Sequence, residues 1–190
     1  MGPDNAFGRG REGTPARVAE LAAELGFELE VLDEPLGGDH GRVSATAVRQ
    51  AIHDGDMETA TRLLGRPFSL RGPVVRGAER GRTIGFPTAN MAITPDRAMP
   101  AFGVYVSRAY IGEQSYMGAT NIGVKPTFQG ERPSVETYLL DFEGDLYGRE
   151  LRIELLHRLR GEMKFDGIEA LVTAIAADVD AARGYFSRGQ

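Results

Sequence analysis

From Pro67 onward the chain breaks into short β-rich runs, each interrupted by glycine, proline or aspartate before it outlasts a single strand. Punctuation at that spacing calls for many strands joined by turns, as in a β-barrel or sandwich. The runs predict strands near 68–76, 102–111, 115–123, 134–141 and 150–158, with a weaker one near 88–93. Beyond them Ile168, Leu171, Val172, Ile175, Val179, Ala182 and Phe186 recur at helical spacing. A long helix therefore closes the chain against the strands, with Asp166 and Glu169 as a variant capping box at its start.

Residues 1–65 have another character. Thr14 can cap a helix with Pro15 in its first turn, Val18, Leu21, Ala22 and Leu25 on its apolar face, and Gly26 just past its end. Phe27, Leu29 and Val31 alternate with Glu28 and Glu30, the mark of a strand with one wet face. Ser44 can cap a second helix to about His53, and Asp56 a third to Leu64, stopped by Gly65 and Pro67. One strand and three short helices cannot close an α/β sheet, so further strands are expected ahead of Met1. The charge divides at the same place. Residues 1–65 carry 6 basic and 12 acidic side chains, whereas 66–190 carry 16 and 15.

What is absent narrows the chemistry. With no cysteine there is no disulfide, thiolate metal site or cysteine nucleophile. The N-terminus lacks a basic and apolar leader and no apolar run reaches membrane-spanning length, so a cytoplasmic protein without a membrane partner is expected. A net charge of −5 disfavours phosphate-driven nucleic-acid binding. His40, His53 and His157 form no triad or metal spacing, and no P-loop motif occurs.

The densest signal runs from Arg71 to Asn90, where Gly72, Gly77, Gly81 and Gly85 alternate with arginines, among them Arg82. Such a segment is either a hairpin with solvated arginines or a loop whose amides and guanidinium groups hold a polyphosphate. Thr88 and Asn90, two apart in an extended stretch after Pro87, face one side. They serve either as turn caps or as hard oxygen donors suited to Mg²⁺. Glu136, between apolar Val135 and Tyr138, is either the wet face of an edge strand or a general base for a hydroxyl.

Taken in order, the short motifs resemble the bacterial bifunctional riboflavin kinase/FAD synthetase family. The similarity runs unbroken from residue 66 to about 186: Leu64-Gly65-Arg66-Pro67-Phe68, the run Gly81 to Asn90, Gly103-Val104-Tyr105, Asn121-Ile122-Gly123 with Pro126-Thr127-Phe128, Val135-Glu136-Thr137, Leu146-Tyr147-Gly148, and Leu159 to Phe165. The resemblance implies a mainly β chain: a six-stranded antiparallel Greek-key barrel with a C-terminal helix over 66–190, the riboflavin kinase domain. It implies ATP- and Mg²⁺-dependent phosphorylation of riboflavin to FMN, with these small molecules as partners. By the same resemblance Thr88 and Asn90 hold metal and phosphates, the 72–85 loop (Gly72, Gly77, Gly81, Arg82, Gly85) covers the nucleotide, and Glu136 takes the hydroxyl proton. Two flaps then close on the flavin: Lys125, Pro126 and Thr127 within the 123–128 turn, and Arg160, Glu162 and Phe165. Residues 1–65 resemble the second half of the family's α/β adenylyltransferase domain, through Gly2-Pro3-Asp4 with Phe7-Gly8 and through Ser44, Thr46 and Arg49 of Val43-Ser44-Ala45-Thr46-Ala47-Val48-Arg49. That domain's first half, with its Gly-x-Phe-Asp-Gly-x-His-x-Gly-His run, has no counterpart here, so FAD synthetase activity is not expected of this chain. The alternative is a flavin-binding module without catalysis.

Overall fold

The computed structural model describes residues 1–31, 43–94, 97–127 and 130–189, with the backbone alone for 125–127 and 130–132. His40 and Phe128 lie outside the described residues. Two compact units emerge, Met1–Ser44 and Ala45–Gln190.

In the first unit the capping signals act as the sequence predicts. Thr14 accepts from the Arg17 amide at 3.3 Å to start α1 (Pro15–Leu25), and Gly26, at φ 73°, turns left-handed to end it. Val18 and Ala22 are the buried residues of its face. Leu29 and Val31 are half-buried between exposed glutamates, yet the expected strand does not form. A strand needs a partner, and among the described residues of this unit the one β pairing is a lone bridge between Phe7 and Gly13.

The second unit opens with α2 (Ala45–Asp54), which Ser44 directly precedes and which carries exposed Thr46 and Arg49. Asp56 caps α3 (Met57–Leu64) by accepting from the Thr59 amide at 2.9 Å, which holds its carboxyl below the usual range. Phe68–Val75 (β1), Ala89–Met91 (β2), Gly103–Ile111 (β3), Gln114–Thr127 (β4), Gly130–Leu139 (β5) and Glu150–Arg160 (β6) then close a barrel in the order β1-β2-β5-β4-β3-β6. Every pairing is antiparallel. Strands β3, β4 and β5 form a meander and β6 returns beside β3, which makes the arrangement a Greek key.

Alternation fills the interior. Leu70, Val74, Tyr105, Ile122, Val135, Leu139, Ile153 and Leu155 point inward into one apolar cluster. Fully buried Met57 of α3 belongs to that same cluster, so α2 and α3 share the barrel's unit although the sequence boundary falls at 65/66. Three hydroxyls cross the buried sheet as a chain: Thr120 donates to Ser107 at 2.8 Å and, its one proton committed, accepts from Thr137 at 2.9 Å.

The closing helix, α5 (Ile168–Ser187), packs on β3 and β4 and buries Val179 and Ala182. Its cap position is Gly167, without a side-chain bond, so the Asp166–Glu169 box is not made. A cap at 167 places Glu169 second in the helix, one residue short of the position from which a box closes. Ile168, at the exposed start of the stripe, overhangs the barrel at 67% exposure.

Candidate active site

Because inward Val135 and Thr137 flank it, Glu136 stands on the outer wall of β5. The ladder places it directly between two amides, Asn90 on β2 and Asn121 on β4. Thr88, immediately before β2, donates its hydroxyl to Glu136 Oε2 at 3.3 Å, and Asn90 Nδ2 approaches the Thr88 carbonyl at 3.5 Å. Hydroxyl, carboxamide and carboxylate therefore share one small patch. Asn121 was legible as part of a motif, but only the register reveals that it faces Glu136.

The glycine segment reaches this patch. A Cβ at Gly77 would overlap the Asn90 amide, and one at Gly81 would overlap the Phe86 carbonyl and lie 3.6 Å from Thr88 Oγ1. Glycine is required at both by close approach. Gly85 turns the chain at φ 87°, and Gly72 sits within β1, where a Cβ would strike the Ala92 carbonyl. Between them Arg80–Thr83 makes a single helical turn, α4. The amides of Arg82, Ile84, Gly85 and Phe86 are spent within this turn, on the carbonyls of Glu79, Gly81, Arg82 and Gly81. For those four residues an amide cradle is not available.

Arg76 and Arg82 line a cleft of about 740 Å³ at the barrel mouth, with Thr88 on one wall and Tyr147 on another. That is ample for a small-molecule ligand. Arg76 lies 5.0 Å from the centroid of the Tyr147 ring, and Tyr147 donates to Glu79 at 3.1 Å. Partial burial, then Glu79, push the Tyr147 phenol up. Thr88 is thus the one residue of the patch that also lines the cleft.

On the other side of Glu136 lies the end of β6. Arg160 pairs with Val104, which pairs with Asn121, which pairs with Glu136. The chain then folds back so that Glu162 covers Gly123, where a Cβ would overlap its carboxylate. Arg160 binds Asp178 and the Gly161 carbonyl, while Phe165 is half-buried and Met163 exposed. Lys125, Pro126 and Thr127 end β4, opposite Arg132, Glu131 and Gly130. The structure thus brings Thr88, Asn90, Glu136 and the glycine loop together, and sets the 161–165 segment beside them. Ser44, Thr46 and Arg49 belong elsewhere, at the start of α2. The first unit has its own hollow of about 350 Å³, lined by Met1, Asp4, Phe7 and Arg11 among others.

Among the described residues no three histidine or acidic side chains group as a metal site. The Thr88 and Asn90 oxygens instead form a sparse, hard donor set, which suits a cation that draws most of its shell from water and phosphate.

Fold and site define a closed β-barrel protein whose cleft, lined by Arg76 and Arg82 among the acids Glu79, Glu143 and Asp145, abuts a carboxylate. Residues 64–186 match the flavokinase family model, riboflavin kinase, and the chain belongs to that family. It is 41% identical over 187 residues to the bifunctional riboflavin kinase/FMN adenylyltransferase of Escherichia coli K12, and 42% identical over 190 residues to that of Bacillus subtilis 168. Each alignment covers 98% of this chain, which spans 59% of the length of these curated relatives. Among solved structures, a macrolide-efflux protein from Streptococcus pneumoniae superposes with a TM-score of 0.81 at 38% identity, covering 96% of this chain and 58% of the other. Among the described residues of the present chain no helix is long and apolar enough to cross a membrane. The barrel and family inferred from the motifs are therefore borne out.

Proposed function

We propose that this chain transfers the γ-phosphoryl group of ATP to the terminal ribityl hydroxyl of riboflavin, yielding FMN and ADP. The observation that carries the reading is the Thr88–Glu136 contact, which joins a nucleotide-sized cleft holding two arginines to a carboxylate on the outer wall. Nucleotide in the cleft meets Arg76 and Arg82, whose charge offsets that of the phosphates. Riboflavin lies on the opposite side of Glu136, bounded by Asn121, Glu162, Phe165 and the 125–127 strand end. Glu136 accepts the hydroxyl proton as the ribityl oxygen bonds to phosphorus and the bond to the ADP oxygen breaks. Thr88 and Asn90 are the residues that would hold Mg²⁺, which when bound neutralises charge on the phosphoryl oxygens. The kinase domain is assigned to residues 66–190, and 1–65 to the adenylyltransferase half whose Asp4 and Phe7 line the smaller hollow.

The test is a single incubation of the purified chain with riboflavin, ATP and Mg²⁺, resolved by chromatography. FMN with stoichiometric ADP is expected. Riboflavin bound without FMN formation would leave only the non-catalytic module, and FAD accumulation would show that the first unit contributes an adenylyl-transfer activity as well.

A further inference from the structure

Each nitrogen of the Arg160 guanidinium makes a hydrogen bond, and the partners form a pattern. Nε and Nη2 donate to the two Asp178 oxygens at 3.0 and 2.8 Å, and Nη1 donates to the Gly161 carbonyl at 3.1 Å. Its Cζ lies 5.7 Å from the centroid of the Phe165 ring. One side chain thus grips both ends of the Gly161–Phe165 segment, while α5 grips that side chain through a carboxylate only 8% exposed. Gly103 makes room beneath, since a Cβ there would strike the Arg160 carbonyl. The segment so fixed is the one whose Glu162 covers Gly123, two residues along β4 from the Asn121 that faces Glu136.

We infer that Arg160 and Asp178 are positioning residues: a clasp by which α5 sets the 161–165 segment against the acceptor side of the site, so that alignment of the accepting alcohol, and not nucleotide binding, depends on a helix outside the cleft. The inference rests on the riboflavin kinase reading for its kinetic arm alone. A planar fork is needed to hold a carboxylate, a carbonyl and a ring at once, and an ammonium cannot replace it.

The test compares Asp178→Asn and the milder Arg160→Lys with the unaltered chain. Steady-state kinetics should show kcat/KM for riboflavin lowered roughly 10–100-fold, the scale of a slightly misplaced reactant, with the KM for ATP unchanged. Hydrogen exchange without substrates should accelerate at 161–165 while amides of 104–111 stay protected. Unchanged riboflavin kinetics in both variants would overturn the clasp. So would a parallel rise in both KM values or loss of protection across β3, which would make the pair a general prop of the fold. Should the unaltered chain form no FMN, the kinase reading fails by itself, and the exchange experiment decides the clasp: unaccelerated amides at 161–165 refute it.

Discussion

Glu136 and Asp141 show two settings for an acid on this barrel. Asp141 meets arginine, in a two-pronged pair with Arg183 at 2.6 and 2.8 Å that holds the Asp141 carboxyl below its usual range. Glu136 receives the Thr88 hydroxyl and lies in register with two amides, neighbours that can orient an acid. Replacing it by glutamine should leave circular dichroism intact and reduce FMN formation by roughly 10²–10⁴, the span for loss of a general base. Replacing Thr88 or Asn90 by alanine should raise the Mg²⁺ concentration needed for half-maximal rate, read from a metal titration. Asp56 gives a prediction of another kind. Its carboxyl is depressed on folding, first by the Thr59 amide and then by the Thr59 hydroxyl, so its stabilisation is complete above the ordinary aspartate range and is lost as pH falls through the lowered value. Asp56→Ala should cost about 1 kcal/mol at neutral pH by denaturant titration, and the difference should vanish in acid.

At the scale of elements, the capping residues of α1 and α3 and the inward face of each strand were legible because each rests on local geometry or on period-2 alternation. Readings that needed a partner did less well. The 27–31 alternation has no ladder to join, and the start of α5 shifted past Asp166. In the glycine segment the sequence showed flexibility and charge but not which backbone groups the α4 turn consumes. Nor could it show that Gly77 lies against Asn90, a contact made across the β1–β2 connection. Gly77→Ala must displace the loop or the amide, so it should weaken ATP affinity about tenfold or more, the scale of 1.4 kcal/mol, while riboflavin binding measured by fluorescence quenching changes little. An unaltered ATP affinity would separate the loop from the nucleotide.

For the molecule as a whole, the motif order sufficed for the barrel, whereas the membership of α2 and α3 was hidden by a boundary drawn on composition. Met57 shows why: it is a distant residue in sequence from most strands it touches, yet none of its surface is exposed. Met57→Ala should lower unfolding free energy by roughly 2–5 kcal/mol in denaturant titration, as for a core truncation, although it lies ahead of the kinase motifs. Closure of the sheet has a consequence for how such an enzyme can evolve or be engineered. A drum with paired staves all the way round offers no unpaired strand edge, and it carries Thr88, Asn90 and Glu136 on its outer skin. Substitutions in the hub away from Val74, Ala89, Leu139 and Leu146, which also line the cleft, should therefore add heat tolerance without touching that outer patch.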